Sequence, residues 1–236
     1  MQAIILAGGK GSRLKPYTTI FPKPLMPIGE YPVLEIILRQ LKQHGFNDIT
    51  LAVGYLKELL QAYFNHGEKW GLKIHYSHED KPLGTAAPLK LIKHFQDNFL
   101  VMNGDVLTTL NFSSFIEFHQ KRNSICTIAM FNKPVKIDLG ILETNDKSLI
   151  IDYIEKPTLN YKVSMGVYVF NKRILDFIPY NSYLDLPDLI KLLIRNGEQV
   201  NGYNFEGDWL DIGRHEDYEI AHDYFEKNQA KFLGKQ

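Results

Sequence analysis

The chain has 236 residues, of which 44% are hydrophobic, 12% aromatic and 23% charged. These fractions exclude a disordered or fibrous chain, and a chain of this length can bury roughly 70% of the surface that its unfolded form exposes. Because 27 Lys and Arg residues balance 27 Asp and Glu residues, no bulk positive field indicates nucleic-acid binding. The single cysteine excludes an internal disulfide framework, no apolar run approaches a membrane span, and the first residues lack the basic segment of a signal peptide. We therefore predict a cytoplasmic protein with no nucleic-acid or membrane partner.

The first half of the chain alternates predicted strands with predicted helices. Residues 2–6 form an apolar run that breaks at Gly8 and Gly9, which is typical of a buried strand ending in a glycine loop. Five of the 11 prolines lie between positions 16 and 32, and they predict a fixed, non-helical connection. The next predicted elements are a helix over 33–44, a strand over 48–53, a helix over 56–64, a strand over 72–76, a helix over 85–95 and a strand over 99–102. This alternation is typical of a largely parallel sheet that helices cover on both faces.

The middle of the chain changes character. Ser114 and Glu117 have the spacing of a capping box, which predicts the start of a further helix. Asn145 and Asp146 predict a turn within a group of closely spaced strands. These strands are predicted over 125–131, 140–144, 148–154 and 164–171. We interpret them as an antiparallel excursion attached to the same sheet.

The last part of the chain returns to alternating elements. Asp185, followed by a proline in the first turn, opens a predicted helix that ends at Gly197. A strand over 199–205 and a helix over about 215–227 follow. Because no linker rich in glycine, serine or proline divides the chain, we predict a single domain over residues 1–236. The predicted fold class is α/β: a three-layer α/β/α sandwich with a mostly parallel, Rossmann-like central sheet and the antiparallel excursion.

The glycine loop after the first strand has the character of an anion pocket. Residues 1–29 include no acid, and their cations are Lys10, Arg13, Lys15 and Lys23. Glycines let backbone N–H groups approach a phosphate closely. The loop lacks the Gly-Lys-Ser/Thr of a P-loop, and leucine stands where a dinucleotide fingerprint needs its third glycine. A hydride-transfer enzyme is therefore disfavoured.

A set of ordered motifs resembles a known family. Leu6-Ala-Gly-Gly-Lys-Gly-Ser-Arg-Leu14, followed by Phe21-Pro-Lys-Pro-Leu-Met-Pro27, resembles the signature of the sugar-1-phosphate nucleotidylyltransferases. Four later blocks match the family in the same order: Pro82-Leu-Gly-Thr-Ala86, Asn103-Gly-Asp105, Glu155-Lys-Pro157 and the closing Trp209-Leu-Asp-Ile-Gly213. The resemblance implies a Mg²⁺-dependent reaction in which a nucleoside triphosphate and a sugar 1-phosphate give a nucleotide sugar and pyrophosphate.

That chemistry needs cations more than a nucleophilic side chain. The attacking phosphate oxygen is already ionised, so the site must bring two polyanions together and hold the charge that develops at the α-phosphorus. We assign Arg13, whose planar fork suits phosphate oxygens, to the triphosphate and the leaving pyrophosphate. Lys23 is placed to reach the α-phosphate or the attacking phosphate. The alternative for either catalytic candidate is an ordinary exposed charge.

Two carboxylates are candidates for binding Mg²⁺. Asp105 ends an apolar strand, and ligands bind at the carboxyl ends of parallel strands in such folds. Asp211 lies in a second apolar stretch, far from Asp105 in the sequence. The resemblance implies that both bind one Mg²⁺, which keeps waters and phosphate oxygens as its other ligands. The alternative for each is a helix-cap or turn aspartate.

The resemblance also implies which residues bind the two substrates. Sugar-phosphate binding would involve Gly140, Glu155 and Lys156, with the lysine on the phosphate and the glutamate on ring hydroxyls. The glycine-threonine-alanine form of the third block resembles the guanylyltransferase branch and favours GTP. Ser164-Met165 replaces the usual Asn-Ala of the family, which bears on the choice of sugar. The nucleotide-binding candidates are Leu6, Ala7, Gly8, Gly9, Gly11, Ser12, Gly84 and Thr85.

Several alternatives stay open. The nucleotide is GTP, or else UTP, dTTP or CTP, and a non-catalytic nucleotide-sugar-binding regulatory subunit would use the same fold. A related glycosyltransferase commonly carries Asp-x-Asp, whereas this chain has Asp105-Val-Leu107. Because the chain stops soon after its last predicted helix, we expect no assembly through an added β-helix or regulatory module. A monomer and a homodimer are both compatible with the sequence.

Overall fold

A computed structural model describes residues 1–234 of the protein. Its strands are β1 (Gln2–Ala7), β2 (Pro27–Ile28), β3 (Tyr31–Pro32), β4 (Asp48–Val53), β5 (Lys73–His78), β6 (Asn98–Asn103), β7 (Val106–Thr108), β8 (Cys126–Lys136), β9 (Ile141–Thr144), β10 (Ile150–Ile154), β11 (Thr158–Asn171), β12 (Val200–Phe205) and β13 (Trp209–Asp211). Its α-helices are α1 (Val33–Gln43), α2 (Lys57–Phe64), α3 (Phe112–Arg122), α4 (Leu186–Arg195) and α5 (His215–Leu233). Short 3-10 helices cover Ser12–Leu14, Tyr17–Thr19, Lys23–Leu25, Glu68–Trp70, Ala87–Leu91 and Lys172–Phe177.

Seven strands form the central sheet in the order β12-β8-β11-β6-β1-β4-β5. Neighbouring strands run parallel except at β11, which is antiparallel to both β6 and β8. The predicted α/β class with a mostly parallel sheet is therefore confirmed. Of the four closely spaced strands predicted in the middle of the chain, two join this sheet as β8 and β11. The other two, β9 and β10, pair with each other in a separate two-stranded sheet.

The core lies on both faces of the sheet because side chains alternate along each buried strand. Ala3 and Ile5 of β1 pack into one cluster with apolar residues of α1, α2, α3 and α5. Ile4 faces the opposite side, where it packs with α4 and with the 3-10 helix Ala87–Leu91. Helical segments therefore cover both faces, and no helix within residues 1–234 is long and apolar enough to cross a membrane.

The helix predicted over 85–95 is wrong, because only Ala87–Leu91 is helical and that segment is a 3-10 helix. The backbone N–H groups of Ala86 and Ala87 both donate to the carbonyl of Leu184, at 2.9 and 3.2 Å. These hydrogen bonds to a residue distant in sequence fix the backbone at the start of the segment. At its end, Ile92 adopts an extended conformation. Tertiary hydrogen bonding therefore overrides the helical periodicity of the sequence.

The capping box predicted at Ser114 is also wrong. The helix α3 begins earlier, after Asn111, whose side-chain oxygen accepts a hydrogen bond of 2.9 Å from the Ser114 backbone N–H. Asn111 thereby satisfies one of the free N–H groups of the first turn. Near the end of the chain, α5 extends to Leu233, but Asn228 interrupts it with non-helical backbone angles (φ −130°, ψ 21°) directly after the predicted boundary at 227.

Candidate active site

A cleft of about 710 Å³ runs along the carboxyl edge of the sheet. The ends of β6, β1, β4 and β5 meet there, as expected for a ligand site in an open α/β sheet. Every predicted catalytic and nucleotide-binding residue lies in its wall. Those residues, with the first predicted metal ligand, are Leu6, Ala7, Gly8, Gly9, Gly11, Ser12, Arg13, Lys23, Gly84, Thr85 and Asp105.

The glycine loop turns sharply in order to present Arg13. Gly11 has a φ of 60°, and its carbonyl accepts a hydrogen bond of 2.8 Å from the Thr18 hydroxyl. A Cβ at position 11 would lie 2.9 Å from Thr18 Cγ2. The turn therefore requires glycine both because φ is positive and because there is no room for a side chain. The 3-10 helix that follows buries Leu14 completely and leaves the preceding arginine in the cleft wall.

Lys23 and Asp105 form an ion pair at the β6 end of the cleft. The lysine begins the 3-10 helix Lys23–Leu25, in which Pro24 is buried beside the cleft. The second carboxylate oxygen of Asp105, Oδ1, is buried and has no hydrogen-bond partner among residues 1–234. An unpaired acceptor of this kind is expected to have a ligand, and carboxylate oxygen is the donor that Mg²⁺ prefers.

Asp211 lies next to Asp105 in space. The strand β13 pairs with β7 so that Asp211 stands opposite Val106, and the Ile212 N–H donates to the Asp105 carbonyl at 3.1 Å. A Cβ on Gly213 would lie 3.4 Å from the Asp211 carboxylate and 3.5 Å from Arg13 Nη1. Asp211 is close enough to Asp105 and Arg13 for their charges to act on its carboxylate.

The charges around Asp211 perturb its pKa. Desolvation by the surrounding protein raises the pKa, and repulsion from Asp105 raises it further. The Lys23 and Arg13 cations act in the opposite direction without cancelling these effects. Two neighbouring carboxylates with one unpaired oxygen fit a hard divalent cation. Residues 1–234 contain no group of three or more His, Cys, Asp or Glu side chains arranged around a metal position, so water or substrate would supply the other ligands.

The predicted sugar-phosphate residues lie together at the base of the β9–β10 hairpin. The Tyr153 hydroxyl donates to the Glu155 carboxylate at 2.9 Å, and Lys156 Nζ is 3.7 Å from the other oxygen of that carboxylate. A Cβ on Gly140 would collide with the Tyr153 ring. These three residues are not among those that line the cleft, so their assignment stays a prediction.

Several residues of the site escaped the sequence reasoning. Asp185 precedes the first residue of α4, as predicted, but its carboxylate makes no capping hydrogen bond and instead accepts hydrogen bonds from the Thr85 N–H and hydroxyl at 2.9 and 3.0 Å. Tyr183 donates to the same carboxylate at 2.6 Å and lines the cleft. Glu79 lies in the wall directly after β5. Their spacing in sequence offers no signal, although Glu79 and Asp105 each come three residues after a predicted strand.

Comparison with known proteins bears on the family of the chain. A family model described as nucleotidyl transferase matches residues 2–228. The chain belongs to the nucleotidyl transferase family. The resemblance seen in the sequence motifs is therefore confirmed.

Individual relatives carry names of sugar-1-phosphate enzymes. The chain is 35% identical to a UTP–glucose-1-phosphate uridylyltransferase of Synechocystis sp. over 92% of its length, and 32% identical over 92% to a mannose-1-phosphate guanyltransferase of Aspergillus oryzae. It spans 61% and 62% of the lengths of these two relatives. Among solved structures, HddC from Yersinia pseudotuberculosis matches with a TM-score of 0.74 and 25% identity, over 95% of this chain and 99% of that one.

Proposed function

We propose that this nucleotidyl transferase moves a nucleoside monophosphate from a nucleoside triphosphate to a sugar 1-phosphate. The observation that supports this most strongly is the meeting of Lys23 and Asp105 with Arg13 and Asp211 beside the glycine loop. The names of the relatives are consistent with this reaction. An ionised phosphate is already a nucleophile, so positioning and cationic stabilisation are the catalytic tasks that remain.

In the proposed reaction, an oxygen of the sugar 1-phosphate forms a bond to the α-phosphorus of the nucleotide. The bond from that phosphorus to the bridging oxygen breaks, and pyrophosphate leaves with the electron pair. Arg13 binds the β- and γ-phosphates and stabilises the leaving charge, while Lys23 orients the reacting phosphates. A divalent cation such as Mg²⁺, held by Asp105 and Asp211, would supply further neutralisation of phosphate charge.

We propose GTP as the preferred nucleotide. The form Gly84-Thr-Ala86 supports this preference, and one of the relatives is named a guanyltransferase. UTP is the main competitor, because the Synechocystis relative is named a uridylyltransferase. Since nucleoside triphosphates are cytoplasmic metabolites, we place the reaction in the cytoplasm.

A substrate matrix tests the proposal. Four nucleoside triphosphates are combined with glucose, mannose, amino-sugar and heptose 1-phosphates in the presence of Mg²⁺, and pyrophosphate release is measured. We expect release with at least one sugar phosphate and the most rapid release with GTP. Binding of nucleotide with no release in any combination would contradict the proposed activity and favour a regulatory subunit.

A further inference from the structure

A second cavity, of about 350 Å³, lies at the edge of the sheet opposite the cleft. Lys42 in its wall donates hydrogen bonds to Asn47 and Gly71, which stand just before the parallel strands β4 and β5, whereas the cleft lies where these strands end. A strand of six residues spans roughly 20 Å, and no residue lines both cavities. We call this cavity the α1–α5 pocket. Its lining residues are Arg39, Lys42 and Gln43 of α1, Lys69 and Trp70 of the 3-10 helix Glu68–Trp70, and Leu233 at the end of α5.

The wall of the α1–α5 pocket is positively charged. Three of its six lining residues are cations, and no acidic residue of the described part of the chain lines it. Arg39 pairs with the buried Glu35 behind the wall, whereas Lys42 and Lys69 make no ion pair within residues 1–234. The pocket therefore carries two uncompensated positive charges in a protein whose total charge is zero. A concave surface of one sign of charge attracts ions of the opposite sign.

A buried carboxylate fixes the position of Arg39. The Glu35 side chain is 3% exposed, and its Oε1 accepts hydrogen bonds from Arg39 Nε at 3.0 Å and Nη2 at 2.6 Å. Its other oxygen accepts one from the Tyr63 hydroxyl at 2.9 Å, and the guanidinium group lies 4.7 Å from the centre of the Tyr31 ring. These bonds use two of the five N–H donors of Arg39, so its Nη1 side is available to an anion.

Neutral groups hold the two lysines in place. Lys42 Nζ donates to Asn47 Oδ1 at 2.9 Å and to the Gly71 carbonyl at 2.6 Å, which leaves one of its three donors. Lys69 Nζ lies 5.0 Å from the centre of the Trp70 ring, and none of its donors is used by residues 1–234. Because these contacts already order both side chains, an anion that binds them loses little of its binding free energy to side-chain ordering.

We propose that the α1–α5 pocket binds a small anion that carries one or two phosphate groups, at a site separate from the cleft. A phosphate group offers several charged acceptor oxygens, which suit the planar fork of Arg39 and the point charges of the two lysines. The volume of the pocket lies at the lower end of the range for small-molecule sites, and it admits a diphosphate with bound water. The inference uses no part of the reaction proposed above.

The test titrates inorganic pyrophosphate into the protein at constant ionic strength, without nucleotide or divalent cation, and follows tryptophan fluorescence. The chain has two tryptophans, so Trp209→Phe leaves Trp70, in the wall of the pocket, as the one reporter. We expect a saturable change in both the wild-type protein and Trp209→Phe, with a Kd of roughly 1 mM or less. Citrate, a carboxylate anion of similar charge, should bind more weakly.

Variants in the Trp209→Phe protein locate the anion. Lys42→Gln and Lys69→Gln should each weaken pyrophosphate binding roughly tenfold. Lys69→Gln loses no hydrogen bond of the described chain, so it removes the charge without disturbing the fold. Lys121→Gln, on α3 and outside both cavities, is the matched control and keeps the original Kd. Arg13→Gln removes a cation of the cleft and should leave the Trp70 response unchanged.

Four results would overturn the proposal. The first is the absence of a saturable change in the wild-type protein, and this measurement does not depend on the folding of a variant. The second is an unchanged Kd in both Lys42→Gln and Lys69→Gln, which would show that the lysines are ordinary solvated charges. Loss of the response in Arg13→Gln would assign the anion to the cleft, and tighter binding of citrate would exclude a phosphate-selective site.

Discussion

The Lys23 ammonium group pairs with the Asp105 carboxylate across 82 positions of the chain. The backbone reinforces this contact, because the Gly104 N–H donates to the Leu6 carbonyl at 3.0 Å. A Cβ at position 104 would lie 3.1 Å from that carbonyl oxygen, so glycine permits the two loops to approach. The pair therefore joins the proline-rich segment after β1 to the loop after β6, and these two segments form one end of the cleft.

Replacing Asp105 by Asn tests the proposed divalent-cation site. The amide removes the charge and keeps the shape, so we expect the protein to fold while Mg²⁺-dependent turnover falls by roughly 100-fold or more. Pyrophosphate release and circular dichroism measure the two effects. Glu216→Gln, an exposed carboxylate on α5, is the control and should retain activity. Near-normal turnover of Asp105→Asn would remove the metal assignment.

Replacing Lys156 by Gln tests the predicted sugar-phosphate contact. Loss of a charge-assisted hydrogen bond to phosphate should raise the KM for the sugar 1-phosphate by roughly tenfold or more, with little change in the KM for the nucleotide. Lys147→Gln, at the exposed turn of the same hairpin, should leave both constants unchanged. A larger effect of Lys156→Gln on the nucleotide KM would contradict the assignment.

Alanine substitutions at Gly84, which lines the cleft, and at Gly197, which does not, test the packing of Gly84 against Leu184. Both glycines have positive φ, of 87° and 74°, but a Cβ at Gly84 would lie 2.6 Å from the Leu184 carbonyl oxygen, whereas none lies within 4 Å at Gly197. In Gly197→Ala, the positive φ alone should lower the free energy of unfolding by about 1 kcal/mol. Steric overlap should cost at least about 1 kcal/mol more in Gly84→Ala. If denaturant unfolding shows the same loss of unfolding free energy in both variants, the backbone at Leu184 accommodates the added Cβ without a measurable energetic penalty.

Because His119 is buried, we predict that the protein loses stability in mild acid. Its ring contacts the Thr127 hydroxyl at 2.8 Å and the Asn98 side-chain oxygen at 3.2 Å, and burial lowers its pKa from 6.5 to about 4. Between these values the unfolded chain binds a proton that the folded chain does not, so the free energy of unfolding falls as the pH falls from 6.5 toward 4. The loss is up to about 3 kcal/mol.

Urea unfolding at pH 7 and pH 5 measures this contribution. His119→Gln should lose less stability over that interval than the wild-type protein, because the group that titrates is absent. The exposed His66→Gln is the control and should keep the wild-type dependence. Identical pH dependence in all three proteins would show that His119 is not the group responsible.

The errors of sequence reasoning have a common physical origin. The 85–95 segment has helical periodicity, but the Leu184 carbonyl competes for its first N–H groups. Asn111 and Ser114 are both suitable residues for the N-cap of α3. Phe112 is buried as the first residue of the helix, so the helix begins after Asn111. In both cases a contact between distant segments selects among local conformations of similar free energy.

The amino-acid sequence by itself determined the alternation of strands and helices, the glycine loop and the set of cations and carboxylates suited to phosphate chemistry. These features depend on periodicity and on side-chain type, which act over a few residues. Only the tertiary structure decided that Asp211 stands beside Asp105, that β9 and β10 form a separate hairpin, and that Glu79 meets Gly8 and Gly54. Strand order and register depend on how both faces of the sheet are buried at once, and that is a property of the whole chain.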